Sequence, residues 1–429
     1  MIYKFPLFLI LLSFTQLTLG QETPTIEKQY IKAIEKLAKN KKVQKAFEYI
    51  KEMDATTMKR HIELTEIEAP PFKEEKRALV YADYFRTLGL DSVWIDEVGN
   101  VLGLYKGSDG QRTVALDAHL DTVFPEGTDV KVRVKNDTLF APGIGDDTRA
   151  LSMLLTIIES MKATNIQPKD NILFVGTVGE EGLGDLRGVK HLFRDNGPQI
   201  DSWIAVDGGE IGRVNNKGLG SYRYRVIFKG PGGHSWGAFG LANPHHALGE
   251  AISNFVAAAD VYTAEGPKTS YNVGVISGGT SINSIPFESI MEIYIRSIDP
   301  SRLDAMEVLF EEAVNKALTH QNGIKRQGPN LTVLIDKIGN RPSGELSDSL
   351  PLIQRVLAAT SHFGAKPYLT RGSTDSNIPI AKGIPAVTIG RGGKGGKAHS
   401  LDEWWLNDEG YKAIQLAMLI VLSDSQLVK

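Results

Sequence analysis

The stretch TVALDAHLDTVFPEG, residues 113–127, runs from an apolar strand pattern straight into a cluster of Asp117, His119 and Asp121. An isolated buried charge is costly unless it is paired or bound to a cation. The cluster is therefore either a solvated loop or one half of a cation site. Four further segments bear on the choice: GIGDDTRA (143–150), GTVGEEGLGD (176–185), AVDGG (205–209) and GKAHSLDEW (396–404). The first three sit at or just beyond the C-terminal end of an expected strand or in a turn leading to a helix. Ligand sites of open α/β sheets collect at that carboxyl edge. A solvated loop explains one such segment but not five gathered on one edge.

The rest of the chain fits such a sheet. Helical spacing runs from Thr25 to about Arg86, interrupted by APPF (69–72). The strand patterns SVWID, VLGLY and TVALDAHL follow, then the strongly apolar helix RALSMLLTIIESM (149–161). NILFVGTV (171–178) and SWIAVDGG (202–209) read as interior strands. Helices alternating with continuous apolar strands imply a sheet covered on both faces. After Gly212 the texture changes. SYRYRVIF, a helix over 244–259, YNVGVISGG, ESIMEIYIRSI, a helix over 301–319 and NLTVLI follow in β-α-β-β-α-β order, the ferredoxin-like split motif. The expected organisation is a leader over 1–20, a first α/β segment over 21–215, an inserted α+β unit over 216–337 and a second α/β segment over 338–429. No internal repeat interrupts it.

Composition narrows the function. The chain has 429 residues, 42% of them hydrophobic, and a net charge of −3, which offers no electrostatic footprint for nucleic acid or anionic membrane. Residues 1–20, with Lys4, an apolar core and small residues before Gly20, have the layout of a secretory signal peptide. An exported protein, periplasmic or secreted, with no membrane contact after cleavage is expected. The absence of cysteine excludes disulfides, thiolate metal ligands and cysteine nucleophiles.

Taken together, the five segments and their order resemble the co-catalytic di-zinc exopeptidase and deacylase family that includes peptidase T, glutamate carboxypeptidase, acetylornithine deacetylase and succinyl-diaminopimelate desuccinylase. The resemblance runs from about Asp54 onward. AVDGG and RGSTDSNIP (371–379) lie nearest to peptidase T. It implies a zinc-exopeptidase-like α/β domain with helices on both faces of a mostly parallel sheet, plus a lid that often mediates dimerisation. It makes His119 a ligand of one metal, Asp146 the bridging carboxylate and Asp207 the completion of the first site. Glu181 and His399 would hold the second. Imidazole nitrogen and carboxylate oxygen suit two Zn2+ per chain, with Co2+ or Mn2+ as substitutes. The three carboxylates, with one solvent-derived anion, balance two divalent cations.

The same resemblance makes Glu180 the general base and a cis peptide the link between Asp146 and Asp147. Asp121, two residues beyond His119, is expected to accept the other ring N–H of that histidine. His234, in GPGGHSWGA, would stabilise the scissile carbonyl oxygen, often from a partner subunit. Asn283 in GGTSINSIP, Arg296 in IYIRSID and Arg371 would bind the substrate carboxylate or backbone. Arg391 is a weaker candidate without a motif of its own. His61, His191, His245, His246, His320 and His362 match nothing in the metal set and read as surface, cap or core residues.

The function this implies is an exported di-zinc hydrolase trimming short peptides as a homodimer. A deacylase or carboxypeptidase acting on N-acyl amino acids is the alternative. A metal-binding, peptide-capturing protein without turnover is the non-enzymatic one.

Overall fold

In the computed structural model, which describes residues 24–428, four parallel strands form the centre of a nine-stranded sheet. They are Asn171–Thr177, Thr113–His119, Ser202–Val206 and Ala386–Ile389, in that spatial order. Val101–Tyr105 and Ser92–Ile95 extend one side antiparallel. Arg213–Gly218 extends the other, flanked by Gly344–Glu345 and Tyr368–Gly372. The leader expected over 1–20 lies outside the described residues.

Both faces are covered because the strands are apolar on both sides. Along Thr113–His119, Val114, Leu116 and Ala118 face a core built with the helices Thr148–Ala163, Pro351–His362 and Tyr411–Ser425. Ala115 faces the opposite core, closed by Val189, Leu192 and Trp203. Thr148–Ala163 is buried nearly all round, from Leu151 and Leu154 to Ile157 and Ile158. Each such side chain contributes about 1.5–3 kcal/mol by leaving water. The helical N-terminal region comprises Lys28–Ala38, Lys41–Glu52, Asp54–Thr65 and Glu75–Thr87, with the break at the prolines and Phe72 in the left-handed region (φ 70°). Among the described residues, no helix is long and apolar enough to cross a membrane.

A second sheet of four antiparallel strands has the order Thr269–Gly278, Glu288–Ser297, Gly220–Lys229, Thr332–Arg341. Its helices, Pro244–Thr263 and Pro300–Ile324, start at Asn243 and Asp299, which accept N–H bonds from His245 and Ser301 ahead of a first-turn proline. They cover one face only. Met291, Ile293 and Ile295 point into the core, while Tyr294 and Arg296 alternate onto the uncovered face. This unit spans 220–341, displaced from the expected 216–337. Asn216 and Lys217 belong to the large sheet, and Lys337–Arg341 continues the pairing with Gly220–Lys229.

A further small sheet was not expected from the sequence. It pairs Trp404–Leu406 with Thr138–Phe140 and with Lys394–Gly396, so the loop bearing His399 lies beside the segment leading to Asp146.

Candidate metal centre and substrate cleft

The acids and histidines singled out at the carboxyl edge converge. His119 ends its strand, Glu180 and Glu181 follow Thr177, Asp207 follows Val206, and Asp146 precedes the helix Thr148–Ala163. His119 Nε2 lies 3.2 Å from Asp146 Oδ1, and His399 Nε2 lies 3.3 Å from Asp146 Oδ2. His399 Nε2 is also 2.9 Å from Glu181 Oε1. Ligand atoms of His119, Asp146, Asp147 and Asp207 fall within 4.8 Å of one another, as do those of Asp146, Glu181 and His399. A carboxylate offering one oxygen to each of two imidazoles has the geometry of a bridging ligand. The nitrogen and oxygen donors fit zinc and its substitutes.

The electrostatics favour cations. His399 is pushed up to about 10 by hydrogen bonds to Asp146 and Glu181. Burial opposes charging His119, yet Asp146, Asp147 and Asp121 raise it well above the ordinary histidine range. The Arg391 guanidinium adds positive charge, 3.5 Å from Asp146, 3.7 Å from Asp147 and 3.7 Å from Asp207. A weak candidate in the sequence, it stands at the centre of the acids.

Backbone amides fix the acids in place. Asp121 does not meet the expected ring N–H. His119 Nδ1 lies 3.0 Å from the Asp121 carbonyl oxygen and 3.7 Å from its carboxylate. That carboxylate instead accepts the N–H groups of Glu180 (2.9 Å) and Glu181 (2.8 Å). Two amides side by side outcompete a single ring nitrogen. Asp147 accepts the N–H of His119 at 3.3 Å, and the Asp146–Asp147 peptide is cis. Glu403, which sequence reasoning missed although it lies four residues after His399, accepts the N–H groups of Gly143 (2.7 Å), Gly145 (2.9 Å) and Asp146 (2.9 Å). Burial, then Asp146, push its carboxyl up to about 7.

The opposite wall of the cleft is cationic. A cavity of about 270 Å³ is lined by Asp146, Glu180, Glu181, Asp207 and Arg213 on the side of the large sheet and by Arg223, Arg296 and Arg341 on the side of the second sheet. Arg341 donates to Glu180 Oε1 at 3.1 Å and to the Glu180 carbonyl. Burial raises the Glu180 carboxyl well above the ordinary range, with Glu181 adding to it and Arg341 pulling against it. Arg223 and Arg296 flank the Tyr294 ring at 5.1 and 5.4 Å. Burial pushes the Tyr294 phenol up, but Arg296, Ser221 and Arg223 outweigh it and hold it below its usual value.

Only part of the expected binding set lies here. Arg296 lines the cleft; Arg371 does not. Its guanidinium donates to the carbonyls of Gly218 (2.8 Å) and Gly344 (3.2 Å) and pairs with Glu345 at 2.8 Å. Asn377 bonds the carbonyls of Leu219 and Pro342, both at 3.0 Å. RGSTDSN therefore clasps the two chain crossings between the sheets. The segments bearing His234 and Asn283 pair with each other, His234 opposite Ser284 and Ser235 N–H donating to the Asn283 carbonyl (2.9 Å); both residues are exposed and neither lines the cleft. Of the unmatched histidines, His61 packs against Trp405 at 5.1 Å as a core residue. Sequence reasoning also missed Arg213, Arg223 and Arg341. The alternation in SYRYRV carried the signal for Arg223, since Tyr224 and Val226 turn inward; Arg341 had none.

The description "Peptidase family M20/M25/M40" matches residues 115–423. An uncharacterized Bacillus subtilis protein, YqjE, is 23% identical over 84% of this chain and 96% of its own length. The aminopeptidase PepT of Bacillus cereus superposes with a TM-score of 0.66 at 22% identity, over 86% of this chain and 97% of that one. Bacillus subtilis YXEP, described as a dinuclear metal-binding peptidase of the M20 family, gives 0.61 at 16% identity, over 87% and 98%. The chain belongs to peptidase family M20/M25/M40, as an α/β metallopeptidase or amidohydrolase.

Proposed function

We propose that the protein is an exported exopeptidase that hydrolyses amide bonds of short peptides with two Zn2+ per chain. The observation that carries the reading is Asp146, whose two oxygens each face a different histidine at 3.2 and 3.3 Å. His119, Asp146 and Asp207 would hold one ion; Asp146, Glu181 and His399 would hold the other. Bound there, two divalent cations supply Lewis acidity and activate water. Glu180 takes and returns the proton at its carboxylate, oriented by Arg341. Asp121 keeps both glutamates aimed. Arg296 captures the C-terminal carboxylate, because a planar guanidinium meets it bidentately. That cationic wall favours a carboxypeptidase-like or N-acyl amino acid substrate over one read only at its amino end.

His234 and Asn283 contribute to catalysis only across a homodimer, since neither lines the cleft of its own chain. Export rests on the leader pattern at 1–20, which would deliver a periplasmic or secreted enzyme. The test is a mass-resolved screen of short peptides with free and blocked termini against zinc-loaded protein. Cleavage of free-carboxylate peptides at least tenfold faster than of their amidated twins is expected, from the worth of a charge-assisted hydrogen bond. Equal rates would remove Arg296 from recognition, and no cleavage of any peptide would sink the exopeptidase reading.

A further inference from the structure

Three of the four cleft arginines have no carboxylate within 4.0 Å among the described residues: Arg213, Arg223 and Arg296. All three are half-buried, and Arg296 Nε is buried with no hydrogen-bond partner. Arg223 reaches the Gly182 carbonyl and Tyr294, neither of which carries a formal negative charge. A guanidinium withdrawn from water without an anion is unfavourable. Arg341 is different, since Glu180 already neutralises it.

The unpaired cations stand on both walls. Arg223 and Arg296 project from the uncovered face of the lid sheet. Arg213 begins a strand of the large sheet and reaches over Gly208 and Gly209, where a Cβ on Gly208 would come within 2.9 Å of Nη1. Both glycines hold left-handed φ values (65° and 79°), and the Arg213 side chain lies against them. Its neighbouring carboxylate, Asp207, belongs to the metal-ligand set proposed above, so it leaves Arg213 without a counter-ion. One terminal carboxylate can satisfy the lid pair but leaves Arg213 bare on the opposite wall.

We infer that the substrate carries two carboxylates, one held by Arg296 and Arg223 of the lid and the second by Arg213 across the cleft. The substrate class is then a short peptide or N-acyl amino acid with an acidic residue beside the scissile bond. The inference rests on the amide-hydrolase reading and narrows it. The small cavity, about 270 Å³, suits a short acidic side chain.

The test compares peptides differing only as Glu against Gln, or Asp against Asn, by kcat/KM with the zinc-loaded full chain. Acidic members should be favoured by about tenfold or more. Arg213→Gln should collapse that ratio with zinc content and melting temperature retained, whereas Arg223→Gln should weaken the preference for a free C-terminal carboxylate and leave the ratio standing. Equal rates for acid and amide twins would overturn the inference while amide hydrolysis stands. If no peptide is cleaved, calorimetric binding of the same twins decides it. Tighter binding of the acid supports the second carboxylate; equal binding overturns it.

Discussion

The two walls of the cleft are built on different principles. On the catalytic side, the acids hang from loops whose amides are held by other carboxylates: Asp121 under Glu180 and Glu181, Glu403 under Gly143, Gly145 and Asp146. On the lid side, Arg223 and Arg296 are long side chains on a regular sheet, steadied by one aromatic ring. Backbone-fixed groups suit chemistry, which fails over small displacements. Flexible cations suit recognition, where ligands differ in length. The contrast predicts that damage to the acid wall is catastrophic and damage to the arginine wall selective.

Chelation offers the largest break. Removing divalent metal should abolish activity reversibly, and His119→Ala or His399→Ala should lower metal occupancy together with rate, as read by elemental analysis. Activity persisting in a verified metal-free preparation would remove the proposed centre. Next comes the division of labour within the glutamate pair. Glu180→Gln should keep its metal yet lose roughly 10²- to 10⁴-fold in kcat, the usual worth of a positioned base. Glu181→Gln should release metal first. Identical behaviour of the two variants would mean that Arg341 and Asp121 do not separate their roles.

On the arginine wall the effects are smaller and differ in kind. Arg296→Ala should erase the preference for a free carboxylate, whereas Arg371→Ala should spare it and lower stability instead. Arg371 serves the Gly218 and Gly344 carbonyls, and leaving buried partners unsatisfied costs about 1–3 kcal/mol. A denaturant midpoint beside a substrate-preference ratio distinguishes them. Loss of preference without loss of stability in Arg371→Ala would restore it to the substrate site.

An effect on stability alone lies beneath the acid wall. Burial, reinforced by Arg149, lowers His61 to about 3 in the folded chain, against about 6.5 when exposed. The unfolded chain therefore takes up this proton first, and stability is lost as pH falls from about 6.5 towards 3. At about 1.36 kcal/mol per unit, the loss has an upper bound of about 5 kcal/mol. In chelator-treated protein, His61→Gln should start less stable at neutral pH but show a flatter acid slope. An unchanged slope would place the acid sensitivity elsewhere.

The strands and their carboxyl-edge acids were legible because both obey local rules: apolar runs set the sheet, and acids beside glycines mark its loops. The split motif followed from the β-α-β-β-α-β order for the same reason. Arg371 and Arg341 show where local rules end. Each arginine sits in polar sequence with nothing to distinguish a substrate clamp from a structural one. Only the fold shows that 371 reaches carbonyls at the chain crossings, while 341 reaches Glu180. Asp121 failed more subtly. Its spacing from His119 placed it in the right layer, but the choice between a ring nitrogen and two amides depends on where the strand Asn171–Thr177 ends.

Glu403 carries a consequence for how metals load. It and His399 share one loop, and its carboxylate holds the amide of Asp146, the residue proposed to serve both ions. An ion that orders this loop through His399 therefore lowers the entropy still to be lost at the other position. By thermodynamic linkage the help is mutual. Occupancy should rise steeply with free metal rather than in two independent steps. Glu403→Gln should separate the steps, leaving a chain that fills one position well and the second poorly.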